Sequence, residues 1–159
     1  MRMTFEEIYK EYAAKIYRLC MAYVNDSDVA KDLTQDAFAS VWQNLGTFRN
    51  ESGIGTWVYR IATNKCLRSI EQTSRARRTE LPAQLAEPHD EPTHSDEMIA
   101  RLYACIAGLE EVERIIISLE LEDVPQAEIA AIVGISEGNV RIKIHRIKSK
   151  LEKKLKEYE

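Results

Sequence analysis

Apolar residues recur every three or four positions through most of the chain, the period of helices that turn one face to a core. Phe5, Ile8, Tyr9, Tyr12, Ile16, Leu19, Cys20 and Tyr23 follow it, and Thr4 with Glu7 has capping-box spacing. A helix of about five turns is therefore expected from Phe5. Asn25-Asp26-Ser27 reads as a turn. A second helix is expected over residues 28–45. Its inner stripe is Ala30, Leu33, Ala37, Val41 and Leu45, widened by Phe38 and Trp42, and its polar ridge is Asp28, Asp32, Gln35, Asp36 and Gln43. The glycine-rich stretch 46–55 reads as a loop. A third helix over 56–69 would turn Trp57, Val58, Ile61 and Ala62 inward and Tyr59, Arg60, Thr63, Asn64, Lys65 and Arg68 outward.

The pattern then breaks and resumes. Residues 79–97 hold three prolines, six acids and no Lys or Arg, which reads as an extended acidic linker. Beyond it, Met98, Ile99, Leu102, Ile106 and Leu109 form one stripe, and Val112, Ile115, Ile116 and Leu119 line a further helix with an acidic outer surface. Pro125 fits a first helical position, with Ile129, Ile132 and Val133 on one face behind it. Gly134 sits where that helix must stop, and Ser136 can cap the next one. In that last helix Val140, Ile144, Ile147 and Leu151 face inward, opposite Gly138, Arg141, Ile142, His145 and Arg146. No useful strand-like alternation occurs. The expected fold is all-α: two small helical modules joined by a flexible acidic linker, the second a helix-turn-helix domain. The boundaries are 1–78, 79–95 and 96–159.

Charge sharpens this picture. The 159 residues carry net −4, yet residues 136–156 hold eight Lys/Arg against two Glu, and residues 49–78 hold seven against two. A basic helix after a tight turn, in a chain of opposite overall sign, is the pattern of a DNA-reading helix-turn-helix. Aromatics, amides and arginines beside a glycine-rich loop suit single-stranded nucleic acid, because rings and guanidinium planes stack on bases. The acidic ridge on the second helix reads on spacing alone as a solvated face, or as a dock for a basic partner. Cys20, Cys66 and Cys105 are scattered and match no metal spacing, so reduced thiols are expected. His89 and His94 lack paired ligands. No metal, cofactor or catalytic group is expected, and the chain reads as a binding protein, not an enzyme. The N-terminal residues contain no apolar signal region, which points to the cytoplasm.

Taken together, these segments resemble the small bacterial sigma factors of the extracytoplasmic-function (ECF) type. The resemblance is carried by residues 32–38 (Asp-Leu-Thr-Gln-Asp-Ala-Phe), Trp42, Phe48-Arg49 and residues 56–64 in the first module. In the second it is carried by Glu128-Ile129-Ala130, Gly134-Ile135-Ser136, Gly138-Asn139-Val140 and His145-Arg146. It implies a transcription initiation factor that binds core RNA polymerase, directs it to promoters and assists strand opening. Asp32, Gln35 and Asp36 would dock on polymerase. The loop at Arg49, Asn50 and Glu51, with Trp57, Arg60 and Asn64, would capture an unpaired base of the −10 element. Lys65, Arg68, Arg77 and Arg78 would meet duplex phosphates upstream. Glu137, Gly138, Asn139, Arg141, Ile142, His145 and Arg146 would face the −35 element, with Ile142 either touching a thymine methyl or packing. An anti-sigma factor is the further partner that the resemblance implies. The alternative is a stand-alone helix-turn-helix regulator, which has no use for the acidic ridge or the face from Trp57 to Asn64.

Overall fold

The computed structural model describes residues 3–49, 53–77 and 94–158, with side chains in 70–77 and 94–95 outside the description. All regular structure among these residues is helical. Seven α-helices run in order: α1 (Phe5–Val24), α2 (Ser27–Asn44), α3 (Ile54–Arg77), α4 (His94–Ala107), α5 (Glu111–Leu121), α6 (Gln126–Val133) and α7 (Glu137–Lys156). A 3-10 turn at Leu45–Thr47 follows α2. The expected linker, 79–95, lies almost wholly outside the described residues.

Local chemistry sets the boundaries. The Thr4 hydroxyl accepts from the Glu7 N–H at 3.2 Å, and the Glu7 carboxylate accepts from the Thr4 N–H at 3.0 Å, completing the predicted box. Asp26 caps α2 through the N–H groups of Asp28 and Val29. Asn25, at φ 52°, makes the left-handed turn between the two helices, a conformation asparagine tolerates. α3 starts two residues before the expected Thr56 and runs to Arg77, past the expected end at Ser69. Pro125 precedes α6 as its cap, with extended ψ, where a first helical position was expected.

α1, α2 and α3 pack on one another, and α5, α6 and α7 form a second group that α4 joins. Ile8, Ile16, Leu19, Ala30, Leu33, Ala37, Val41, Val58 and Ala62 fill the first interior. Cys20 and Cys66 meet there, with the Cys66 thiol donating to the Cys20 sulfur at 3.7 Å. All three cysteines are free and buried.

The two groups also pack on each other. α1 lies against α4 and α5, and α3 lies against α6. Arg18 on α1 donates twice to the Glu122 carboxylate, at 2.8 Å through both Nε and Nη2. The Glu122 side chain is only 8% exposed. Arg114 on α5 donates to the Tyr23 carbonyl at 3.2 Å, and its guanidinium sits 4.9 Å from the centre of the Tyr23 ring. A bidentate guanidinium–carboxylate pair fixes orientation as well as distance. Sequence periodicity carried no sign of this contact.

Several inward and outward assignments change as a result. Tyr59 and Thr63, expected outward, are buried, because α3 is covered by α1 on one side and by α6 on another. Glu113, expected on an acidic outer surface, is buried. α5 is enclosed over Ile115 to Leu119, and Lys150 on α7 neutralises the carboxylate at 2.8 Å. Met98, Ile99 and Val112, expected in apolar stripes, are exposed.

Charge reversal at the inter-module pair should separate the two groups. A compact chain of this length has a radius of gyration of about 15 Å. Small-angle scattering should give that value for wild type and several ångström more for Arg18→Glu, which sets two carboxylates face to face.

Candidate functional site

Three exposed surfaces carry the residues singled out by sequence. The first is the outer face of α2. Leu33, Ala37 and Val41 are buried there, which leaves Asp32, Gln35 and Asp36 exposed on the opposite side. Trp42 extends this ridge. It was expected inward, yet it is 66% exposed, with its ring set edge-on to Phe5 at 5.2 Å. The interior at this level is already filled by Phe38, which Tyr9 meets at 4.9 Å. The helical period gave a usable signal. At 3.6 residues per turn Trp42 projects about 20° from Gln35 and about 40° from Phe38, closer to the polar ridge than to the core.

The second surface is built on α3 and the turn before it. Phe48 stacks on Trp57 with ring centres 4.8 Å apart, which leaves Trp57 half-buried as part of the support for this face. Arg49 and Asn64 are exposed, and Arg60 and Lys65 are half-buried. The Arg60 guanidinium reaches across to α6 and donates a long hydrogen bond, 3.5 Å, to the Ala131 carbonyl. Beneath it Tyr59 is pushed well above the ordinary tyrosine pKa, first by burial and then by the Glu122 carboxylate. Arg68 is exposed on the same helix. Asn50, Glu51 and Arg78 lie outside the described residues. Arg77 ends α3, and its side chain also falls outside the description.

The third surface is the helix-turn-helix. Gly134 takes φ 85° and donates to the Ala130 carbonyl at 2.8 Å, so the left-handed stop falls where the sequence put it. Ser136 caps α7 by accepting from the Asn139 N–H at 3.2 Å. Val140, Ile144, Ile147 and Leu151 form the buried seam as expected. Glu137, Asn139, Arg141, His145 and Arg146 are exposed, and Ile142 is 51% exposed, so Ile142 does not pack in the core. Gly138 has open space where a Cβ would stand. Two of the basic residues serve structure: Lys150 holds Glu113, and Lys148 pairs with Glu120 at 3.5 Å. Among the described residues no group of His, Cys, Asp or Glu could hold a metal ion, and no helix is long and apolar enough to cross a membrane.

Two family models match this chain. Residues 8–76 match Sigma-70 region 2, and residues 99–151 match Sigma-70 region 4. The RNA polymerase sigma-H factor of Pseudomonas aeruginosa is 30% identical over 170 residues, covering 97% of this chain and 87% of that protein. This chain belongs to the ECF sigma factors. The ECF sigma-E factor of Escherichia coli is likewise 30% identical, over 95% of this chain and 86% of its own length. The ECF sigma factor SigE of Mycolicibacterium smegmatis is 28% identical over 93% of this chain, which spans 60% of that longer relative. In fold, the chain resembles the sigma factor RpoE of Bartonella quintana, solved in complex with the anti-sigma factor NepR. The TM-score is 0.80 at 18% identity, over 96% of each chain. It also resembles CnrH, solved with the cytosolic domain of CnrY, with a TM-score of 0.73 at 22% identity over 96% of this chain and 87% of that one. As an ECF sigma factor the chain is a transcription initiation factor, and members of the family are not catalysts.

The two glycines of the helix-turn-helix should separate in a stability measurement. Gly134→Ala forces a Cβ into the left-handed region and should cost about 1–2 kcal/mol in urea unfolding. Gly138→Ala places a methyl in open space on a helix and should be neutral or slightly stabilising.

Proposed function

We propose that residues 1–78 of this sigma factor dock on core RNA polymerase and open the −10 element, that residues 96–159 read the −35 element, and that 79–95 connect them. The chain itself catalyses nothing and works in the cytoplasm. The observation that carries this reading is the coexistence of an exposed acidic ridge on α2 with an exposed basic face on α7, each backed by a packed apolar seam. A stand-alone helix-turn-helix regulator accounts for α6 and α7 and leaves the ridge without a role.

Asp32, Gln35 and Asp36 bind the polymerase, and Trp42 supplies the large apolar anchor that such a polar surface otherwise lacks. Arg49, Asn50 and Glu51, together with Trp57, Arg60 and Asn64, receive an unstacked −10 base. Trp57, braced by Phe48, and the Arg60 plane offer stacking surfaces, and Asn64 offers an amide to a base edge. Lys65, Arg68, Arg77 and Arg78 neutralise phosphates upstream. On α7, Arg141, His145 and Arg146 reach base edges or phosphates, Ile142 meets a thymine methyl, and Glu137 and Asn139 offer an acceptor and an amide at the helix start. Gly138 lets the N-terminus of α7 approach a backbone phosphate. A protein that covers these faces, as an anti-sigma factor would, is the inferred regulator.

Geometry adds one requirement. Promoter elements centred 25 base pairs apart are about 85 Å apart at 3.4 Å per step. Modules in contact cannot engage both, so the Arg18–Glu122 pair and the Arg60–Ala131 contact must release when the promoter is bound. The 17 residues from 79 to 95 span up to about 60 Å when extended, which suits the separation of two modules of finite size.

Two measurements test this reading. The wild-type chain should co-elute with core polymerase that lacks a sigma factor. Asp32→Arg with Asp36→Arg should abolish co-elution, and Trp42→Ala should weaken it about thirty-fold, the size of an interface hot spot. A wild-type chain that stays free of core polymerase would remove the reading. In the polymerase complex, Arg141→Ala and Arg146→Ala should each lower the salt slope of binding to a −35 duplex by about 1 where the contact is to phosphate.

A further inference from the structure

Between α2 and α3 lies a shallow groove of about 250 Å³, lined by Val29, Leu33, Ser69 and four charges. Asp32 and Asp36 form one wall, and Lys65 and Arg68 form the other. Among the described residues the ion pairs lie elsewhere, and none takes up any of these four side chains. The two charge sets assigned above to different partners therefore share one surface.

The electrostatic consequence is direct. Two carboxylates facing two cations cancel at any distance larger than the groove, and what remains is a dipolar field that falls off steeply. The charges line one small groove, and screening over such short separations is weaker than between distant surface charges. A nucleic-acid phosphate nearing Lys65 and Arg68 in the free chain meets no net positive charge. A basic partner surface seated on Asp32 and Asp36 removes the cancellation and leaves the groove net +2 toward phosphate.

We propose that Asp32 and Asp36 hold duplex DNA off Lys65 and Arg68 in the free chain, and that a basic protein surface docking on the two acids turns the groove into a phosphate-binding site. This rests on the assignment of the ridge to polymerase. Linkage makes the effect reciprocal: phosphate on the cations exposes a stronger acidic dock, so partner and DNA each tighten the other. Docking thereby licenses DNA contact through electrostatics alone, with no conformational change needed inside α1–α3.

The test uses the full chain, a short fluorescent duplex of arbitrary sequence, and anisotropy across a salt series. Asp32→Asn with Asp36→Asn should bind about three- to ten-fold tighter than wild type at low salt, as expected for two carboxylates within several ångström of a phosphate site. The slope of log K against log salt should steepen by about one to two. A control with the same charge change, Glu6→Gln with Glu11→Gln on α1 outside the groove, should change binding far less. Adding Lys65→Gln and Arg68→Gln to the Asn variant should abolish the gain. Equal gains in the control, or a gain that survives loss of the two cations, would overturn the coupling. Naked-DNA binding needs no polymerase, so these outcomes are independent of the co-elution result. A wild-type chain that fails to co-elute would instead remove the docking assignment while leaving the masking effect of the acids measurable.

Discussion

Helix α1 is the constraint on which the rest depends. Its inner face, through Ile8, Ile16, Leu19 and Cys20, holds α2 and α3, while its other side meets α4 and α5. The contact to the second group is not purely apolar. Glu122 is almost withdrawn from solvent, and the fork of Arg18 replaces its lost water with two charge-assisted hydrogen bonds. Such a pair matters most to Glu122, which left alone would be a desolvated charge, whereas Arg18 is half exposed. The junction is therefore orienting when closed and readily wetted when parted. That behaviour suits the separate targets proposed for the two modules.

The working surfaces are kept off this junction with one exception. The ridge on α2 and the outer face of α7 point to solvent in the closed arrangement. Arg60 does not, since its guanidinium contacts the backbone of α6. The closed form thus leaves the proposed dock available while part of the face proposed for strand opening leans on the helix-turn-helix. On the proposed assignment, partner docking can come first, and full use of α3 follows the parting of the modules. The shared groove between α2 and α3 imposes the same order by charge instead of by contact.

Much of the fold was legible because it is written in short-range chemistry. The box at Thr4 and Glu7, the stop at Gly134, the cap at Ser136 and the seam of Val140, Ile144, Ile147 and Leu151 need only residues within a turn or two of each other. What periodicity missed depends on a second neighbour. Tyr59 and Thr63 look outward until α6 covers α3, and Glu113 looks solvated until Lys150 arrives from α7. Trp42 is the opposite case, an apolar residue assigned to the core by type although its projection lay with the polar ridge. The residues given roles by resemblance were mostly exposed charges and amides, whose chemistry the sequence states outright. Their mutual placement, above all two acids opposite two cations, appears only in three dimensions.

The aim of α7 illustrates how recognition depends on packing. Its four buried seam residues contribute about 6–12 kcal/mol of burial, at 1.5–3 kcal/mol for each large aliphatic side chain. Rolling the helix by one residue, about 100°, would turn that seam to water. Lys150 on Glu113 and Lys148 on Glu120 resist the same rotation from the flank. These two lysines are thus spent on fixing which side of α7 faces outward, and Arg141, Lys143 and Arg146 remain as the cations of its N-terminal half. A base edge is read over tenths of an ångström, whereas phosphate attraction tolerates much more. On the proposed reading of α7, the seam and its flanking ion pairs therefore aim the base contacts that discriminate between sequences, while phosphate contacts govern how tightly any sequence is held.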